Sequence, residues 1–297
     1  MKVPTFNELI SIYREIACIE RAKCGIPCEG TVRNVIAGVK YVVGDKINDP
    51  VTCLSRRLID DYMLDALKRH MSPVTVWGYV GQLRSITARW TRPYYKDRDI
   101  RVPHFELPCR KKKPPRYIRP AKAKLAKVRG WYESLAMRTD KRLRIAATLM
   151  LEFAMRNGDI ARLEWGAFLA KGSHVHLCYT PHKTVLSSGR TVSWPVHEDI
   201  WNEFRLYQEQ YGQTDSSLVV PHASRVFRKL NAELRELGFK GSKGLYELRK
   251  ICIDHIYQKF GAEMASSISG DDIRTVTRYY ADPSVVNMVG VRVVDLL

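Results

Sequence analysis

The sequence predicts a mainly α-helical chain with one small β-sheet, divided into two domains. Through most of the chain, apolar residues recur at intervals of three and four, as in residues 6–18, which is the spacing of an amphipathic helix. Residues 174–196 instead alternate between apolar and polar positions around Gly189, a pattern that favours a short hairpin or a three-stranded sheet. Six prolines in residues 93–120 interrupt the helical pattern and predict an extended linker.

These patterns divide the chain into a helical domain (residues 1–92), a basic linker (93–120) and a second domain with a C-terminal tail (121–297). Ser72 and Pro73 mark the clearest helix start, because serine is a favourable N-cap and proline is tolerated in the first turn. The predicted helices cover residues 6–18, 31–42, 57–70 and a segment from 73 in the first domain, and residues 121–134, 143–155, 160–169, 198–211, 222–237 and a segment from 245 in the second.

The charge of the chain favours a polyanionic partner. Its 297 residues include 49 basic and 31 acidic ones, a formal net charge of +18. Nucleic acid is the first candidate partner and an anionic membrane surface the second. The sequence has no apolar run of membrane-spanning length and no secretory signal pattern at its start, so we expect a cytoplasmic, nucleoid-associated protein and no membrane partner. The seven cysteines include Cys24 and Cys28, which could form half of a zinc site, but no matching pair follows, so we expect reduced thiols and no metal.

Positive charge is concentrated around the linker. Residues 81–120 contain twelve basic and only three acidic residues. Such a run is either a solvated charged surface or a segment that follows a phosphate backbone, and the overall charge favours the second interpretation. The predicted DNA contacts are Arg84, Arg89, Arg110, Lys111, Lys112, Lys113 and Arg116.

The residues with the clearest chemical potential lie in the second domain. Transfer of a phosphodiester without a cofactor needs fixed positive charge on the phosphate oxygens, a proton donor for the leaving oxygen and a nucleophile. Arg156 lies in the stretch Met155–Trp165, Lys183 lies in the β segment, and Arg249 follows Tyr246 and Leu248. Tyr280 ends a Thr-x-x-Tyr motif about thirty residues further on.

This ordered set resembles the catalytic core of the tyrosine recombinases, the phage-integrase family, and the resemblance covers roughly residues 55–297. It implies a helical core-binding domain followed by an α+β catalytic domain. It implies that Arg156 and Arg249 clamp the scissile phosphate, that Lys183 protonates the departing 5′-oxygen and that Tyr280 attacks phosphorus, without metal or cofactor. Its implied partners are double-stranded DNA and further copies of the chain, a dimer on each site and a tetramer in synapsis.

Two positions depart from the family pattern, and a third has an adjacent alternative. Tyr246 stands where the family usually has histidine; a phenol donates a hydrogen bond but is a poor proton shuttle near neutral pH. Asp271 follows Gly270 where most members have histidine or tryptophan, and an ionised carboxylate cannot donate. Either Asp271 supports Arg249 or Arg156, or the donor comes from elsewhere. Tyr280 lies ten residues after Gly270, as family spacing requires, with Tyr279 as the alternative nucleophile.

The sequence therefore predicts a site-specific DNA recombinase or integrase that acts through a 3′-phosphotyrosyl intermediate. A hairpin telomere resolvase with the same chemistry is an alternative, as is a catalytically impaired DNA-binding protein on the same scaffold. The apolar tail, residues 285–297, is expected either to cap its own domain or to dock on a neighbouring protomer.

Overall fold

A computed structural model describes residues 3–25, 27–97, 117–183, 185, 189–239 and 244–280. The chain forms two compact units, Met1–Pro114 and Pro115–Leu297. In the described part of the chain, no helix has both the length and the apolar character needed to cross a membrane.

The first unit is helical. Thr5 caps its first helix through a reciprocal pair of hydrogen bonds with Glu8, and Ser72 caps the fourth by accepting from the Thr75 N–H. The fourth helix buries Val76 and Val80. The helices are α1 (Phe6–Cys24), α2 (Glu29–Val43), α3 (Arg56–Lys68), α4 (Pro73–Ser85) and α5 (Arg92–Lys96), with 3₁₀ turns at Gly44–Asn48 and Val51–Cys53 and a π-helical turn at Ile86–Trp90. The predicted start of α4 is confirmed.

The predicted linker differs from the structure at both of its described ends. Residues 93–96 are helical, in α5, because Pro93 lies in the first turn, where its missing N–H has no partner to lose. At the other end, Tyr117 is buried and Arg119 Nε donates to Asp254 Oδ2 at 2.5 Å. This ion pair attaches the segment to the second unit. The rest of the predicted linker lies outside the described residues.

The second unit combines helices with one sheet. Its helices are α6 (Lys122–Ser134), α7 (Lys141–Leu151), α8 (Asn157–Ile160), α9 (Glu198–Gln210), α10 (Ala223–Glu236), α11 (Gly244–Ser269) and α12 (Ile273–Tyr279), with 3₁₀ turns at Leu135–Met137 and Trp165–Ala167. The strands are β1 (Phe168–Lys171), β2 (His174–Tyr179) and β3 (Val192–Pro195), antiparallel in the order β1-β2-β3. Trp165, Phe204 and Leu230 lie in its main core. The predicted mainly α chain with a small sheet is confirmed.

One local prediction in this unit is wrong. Residues 160–169 were expected to be helical, but α8 ends at Ile160 and Phe168 begins β1. The strand forms because it pairs with β2, with Phe168 opposite Leu177, a long-range contact that the local spacing does not reveal. Before α8, Ala154 has a left-handed backbone with φ +50°, and Asp159 lies buried inside α8.

Candidate functional site

Two arginines from separate elements share one carboxylate. Arg249, on α11, donates from Nη2 to Asp271 Oδ2 at 2.5 Å. Arg156, at the N-cap of α8, donates from Nη2 to the other oxygen of the same carboxylate, Asp271 Oδ1. The side chains of Arg156 and Asp271 are 13% and 11% exposed, whereas that of Arg249 is fully buried. Asp271 therefore holds two positive groups side by side.

Arg249 keeps binding capacity that the described residues do not use. Its Nη2 also donates to the Ser269 carbonyl at 3.0 Å. Its Nε and Nη1 are buried and have no hydrogen-bond partner among the described residues. Unsatisfied buried donors of a charged group are costly, roughly 1–3 kcal/mol or more each, and are uncommon in folded proteins. Two open donors on a buried guanidinium fit a site that receives an anion.

The chain reversal at Ala154 delivers Arg156 to this site. Ala154 and Met155 are buried, and Arg156 has extended backbone where α8 begins. Arg156 Nη1 lies 3.7 Å from Asp159 Oδ2, and this nitrogen has no hydrogen-bond partner within the part of the chain that the structure describes. Asp159 Oδ1 accepts from the backbone N–H of His182 at 2.9 Å. One acid thus links the Arg156 corner to the segment after β2.

The turn at Gly270 positions Asp271. Gly270 has φ +62°, and a Cβ there would lie 2.8 Å from Pro181 Cγ, so neither the backbone nor the space favours another residue. Ser266 Oγ donates to the Asp271 carbonyl at 2.7 Å, and the Asp271 N–H donates to Ser269 Oγ at 3.2 Å. These contacts fix the turn between α11 and α12 against the end of β2.

The predicted nucleophile, Tyr280, lies beside Arg249. Its ring centroid is 5.7 Å from Arg249 Cζ, and its hydroxyl forms a hydrogen bond with the hydroxyl of Tyr246. Tyr280 is 5% exposed and packs against Ile253, Val276 and other apolar residues. Burial raises the pKa of Tyr280 well above its ordinary value, and Asp271 raises it further, while Arg249 lowers it. The phenol is therefore neutral near neutral pH.

The neighbouring tyrosine lies in a different environment. Tyr279 is partly exposed, and Arg278 lies over its ring at 5.3 Å. The structure thus brings Tyr280, rather than Tyr279, to Arg249 and to the hydroxyl of Tyr246. The roles of both tyrosines remain predictions.

The predicted lysine lies at the surface. Lys183 is exposed and directly follows His182, whose N–H is bound by Asp159. Its neighbour Thr184 lies outside the described residues. Lys183 therefore sits on the segment that Asp159 ties to the Arg156 corner, with a side chain open to a ligand.

The predicted DNA contacts of the first unit are described only in part. Arg84 is partly exposed near the end of α4, and Arg89 is exposed, with its guanidinium 5.4 Å from the Trp90 ring centroid. The predicted contacts Arg110, Lys111, Lys112, Lys113 and Arg116 lie outside the described residues. All of these DNA contacts stay predictions.

Tyr179 is a site residue that the sequence analysis missed. It ends β2, and its hydroxyl is buried without a hydrogen-bond partner among the described residues. Burial raises the pKa of Tyr179 well above its ordinary value. Arg249 and Arg156 lower this pKa, and Asp159 and Asp271 raise it. The alternation of strand residues marked this position only as apolar. The hydroxyl of a buried tyrosine usually forms a hydrogen bond. This requirement is the only feature of the sequence that indicates a polar group near Tyr179.

Comparison with solved structures identifies the fold. No family model matches the sequence, and no curated protein matches it. A lambda integrase tetramer bound to a Holliday junction is similar at TM-score 0.67 and 14% identity, covering 98% of this chain and 81% of that one. The Tn1549 transposon integrase in complex with a circular intermediate DNA gives TM-score 0.63 at 10% identity, covering 95% and 96%. XerH recombinase bound to difH substrate gives 0.61 at 11%, covering 93% and 94%.

These three proteins are tyrosine recombinases. At such low identity the similarity establishes the fold, and it confirms the predicted fold class and the resemblance that the sequence motifs indicated.

Proposed function

We propose that this chain is a site-specific DNA recombinase that cuts and rejoins strands through a covalent tyrosyl intermediate. The observation that carries the proposal is the convergence of Arg156 and Arg249 on one anionic group, with the Tyr280 ring beside Arg249. Paired guanidiniums suit a phosphate because their planar forks bind oxygens in pairs and keep their charge. The recombinase fold and the net charge of +18 support the same conclusion.

In the proposed reaction, Tyr280 Oη attacks the scissile phosphorus. A bond forms between this oxygen and phosphorus while the bond from phosphorus to the 5′-oxygen breaks, leaving a 3′-phosphotyrosyl link. Tyr280 loses its proton to solvent, and Tyr246 holds the attacking oxygen through the hydrogen bond between the two hydroxyls. Lys183 gives a proton to the departing 5′-oxygen. Arg156 and Arg249 stabilise the charge that develops on the non-bridging oxygens. Attack by a 5′-hydroxyl reverses these steps and reseals a strand, so the bond energy is retained.

The hydrogen bonds between Asp271 and the two arginines must change when DNA binds. Its two oxygens occupy one nitrogen of each arginine, so a phosphate at the same arginines meets a like charge. We infer that the carboxylate holds the guanidiniums in place in the free protein and moves aside, or keeps one contact each, in the complex. Buried cations without a counter-charge are strongly unfavourable, so an internal anion stabilises the unloaded site.

We infer that the working unit is an oligomer on duplex DNA. The similar structures include a lambda integrase dimer bound to a COC′ core site and a tetramer on a Holliday junction. The same chemistry needs one chain for each strand cut. In this chain the paired arginines provide one scissile-phosphate site per copy, so exchange between two duplexes needs four.

The test is a covalent trap on nicked DNA. The cleaved strand carries a nick a few nucleotides to the 3′ side of the scissile phosphate. After cleavage, the short fragment between the two breaks, which carries the 5′-hydroxyl, diffuses away, so the tyrosyl adduct cannot reverse. The probe is a set of nicked duplexes that tile the DNA on both sides of the gene encoding this chain, and the readout is a band that resists denaturing electrophoresis. The wild-type chain should form the adduct, and Tyr280→Phe should not.

Tyr279→Phe is the matched control, because it removes a neighbouring hydroxyl that does not lie beside Arg249. It should form adduct at close to the wild-type rate. If Tyr279→Phe abolishes the adduct and Tyr280→Phe does not, the assignment of the nucleophile is wrong. Tight duplex binding without adduct from the wild-type chain would support the alternative of a DNA-binding protein on an inactive scaffold, which the residues Tyr246 and Asp271 favour.

A further inference from the structure

The site is short of one neutral hydrogen-bond donor for a phosphate. Asp271 stands where a histidine or tryptophan is expected from the resemblance, and its carboxylate accepts from Arg156 and Arg249 instead of donating. The Tyr246 hydroxyl is engaged with that of Tyr280. A donor to a non-bridging oxygen must then come from an element that the resemblance does not mark.

Tyr179 brings such a donor to the same place. It lies at the end of β2 opposite Val192, and a Cβ on Gly270 would lie 3.2 Å from Val192 Cγ2, so this end of the sheet packs on the Gly270–Asp271 turn. The Tyr179 hydroxyl is buried and lacks a hydrogen-bond partner within the described residues.

The surroundings of Tyr179 keep its hydroxyl protonated. Burial raises its pKa most, and the carboxylates of Asp159 and Asp271 raise it further, against the opposing effect of Arg249 and Arg156. These four charged residues are the ones that form the arginine site. A neutral phenol donates one hydrogen bond, and an unpaired buried donor gains most from an incoming anion.

We propose that the Tyr179 hydroxyl donates a hydrogen bond to a non-bridging oxygen of the scissile phosphate, in the role that a histidine or tryptophan fills elsewhere. The inference rests on the proposed function and makes Tyr179 a catalytic residue of the same reaction. When the Asp271 carboxylate yields to the phosphate, Tyr179 completes a set of donors with Arg156 Nη1 and with Nε and Nη1 of Arg249, which are unpaired within the described residues.

The test compares Tyr179→Phe with Tyr132→Phe on a nicked duplex that the wild-type chain converts to adduct. Tyr132 is the matched control because its hydroxyl pairs with Thr148 Oγ1 at 3.0 Å, away from the arginine site. Loss of a donor to a developing oxyanion should slow single-turnover adduct formation by roughly ten- to a hundredfold in Tyr179→Phe. Tyr132→Phe should keep the wild-type rate.

A second substrate series separates a phosphate contact from a structural effect. Each non-bridging oxygen of the scissile phosphate is replaced by sulfur in turn. At the oxygen that Tyr179 contacts, the replacement should slow the wild-type chain more than it slows Tyr179→Phe, because the variant has already lost that bond. The three substrates are the unmodified phosphate and the two single sulfur replacements. If Tyr179→Phe slows adduct formation by the same factor on all three, or reacts at the wild-type rate, the inference is overturned.

Inorganic phosphate gives a readout that does not need strand cleavage. It should raise the unfolding temperature of the wild-type chain and Tyr132→Phe more than that of Tyr179→Phe. Equal shifts in all three proteins overturn the inference even if no duplex is cleaved. A different outcome is that the wild-type chain forms no adduct while phosphate still raises the unfolding temperature of Tyr179→Phe less than that of the wild-type chain. This outcome counts against the proposed reaction alone. Because the Tyr179 hydroxyl has no partner to lose among the described residues, we expect the variant to fold.

Discussion

The hydroxyls of Tyr246 and Tyr280 form a hydrogen bond in the free protein. Tyr246 lies near the start of α11 and Tyr280 directly follows α12, so the bond joins the two elements that carry Arg249 and the proposed nucleophile. Where the tyrosine recombinases usually carry histidine, this chain therefore has a residue whose hydroxyl contacts the oxygen of the proposed nucleophile. Its contribution can be measured by substitution.

We expect Tyr246→Phe to slow adduct formation about five- to tenfold, since it removes one neutral hydrogen bond of about 1 kcal/mol from the attacking oxygen. Tyr246→His should match or exceed the wild-type rate, because imidazole donates a hydrogen bond and also accepts a proton near neutral pH. Single-turnover rates on a nicked duplex measure both. Tyr257→Phe, on the same helix, is the control for loss of a ring hydroxyl. A Tyr246→His variant slower than Tyr246→Phe would contradict this role.

Asp271→Asn should lower stability and strengthen anion binding at once. Removing the charge between Arg156 and Arg249 leaves two poorly compensated cations, one of them fully buried, at a cost of roughly 3 kcal/mol. Sulfate should recover much of the lost unfolding temperature, because it replaces the missing anion. Thermal unfolding with and without sulfate measures both effects. Asp61→Asn, whose side chain is 69% exposed, should change neither, and a sulfate response equal to that of the wild-type chain would argue against an anion site.

Lys183→Ala should lose most adduct formation on normal DNA and regain it when the leaving oxygen is sulfur. A 5′-thiolate leaves without a proton because its conjugate acid, the thiol, is a far stronger acid than an alcohol, so a missing general acid no longer matters. Rates on the two substrates give the comparison. Lys171→Ala is the control, since Lys171 lies on the same sheet and bonds Ser193 Oγ at 2.9 Å. Failure of the sulfur substrate to rescue Lys183→Ala would remove the proton-donor role from this lysine.

The rate of adduct formation should rise with pH through the range from about 6 to 9. Burial and Asp271 raise the pKa of Tyr280 above its ordinary value, so the phenolate fraction throughout this range grows about tenfold per pH unit. We expect no plateau below about pH 10. Tyr279→Phe should give the same profile. A plateau near neutral pH would contradict this expectation and would mean that the two arginines lower the pKa of the nucleophile in the complex.

The sequence predicted elements whose signals are local. Ser72 and Pro73 define the start of α4 by their own chemistry, and this prediction is confirmed. The helix expected at 160–169 is wrong because β1 exists only through pairing with β2. The corner before Arg156 is built on a left-handed alanine, Ala154, which no turn preference marks.

The candidate site shows the same limit. Motif and spacing predict a role for Arg249 and Tyr280, and the two residues lie beside each other. The sequence left open whether Asp271 supports an arginine, and the structure pairs it with both. Tyr179 stayed unrecognised because strand alternation predicts which side of a sheet a residue faces, and not which charges from α8 and α11 are brought to that side.

The contribution of the basic linker to DNA binding can be measured from the salt dependence of duplex affinity. Replacing Arg110, Lys111, Lys112 and Lys113 by alanine should weaken duplex binding and reduce the log–log salt slope by about 0.9 for each phosphate that is no longer neutralised, so by about 3 to 4 in all. Titrations at several salt concentrations measure the slope. An alanine replacement of four exposed basic residues outside the predicted DNA-binding set (Lys23, Arg129, Arg138 and Arg205) is the control for total charge. If both variants change the slope equally, general attraction explains the linker; a larger change for the linker variant supports direct binding of phosphates by these side chains.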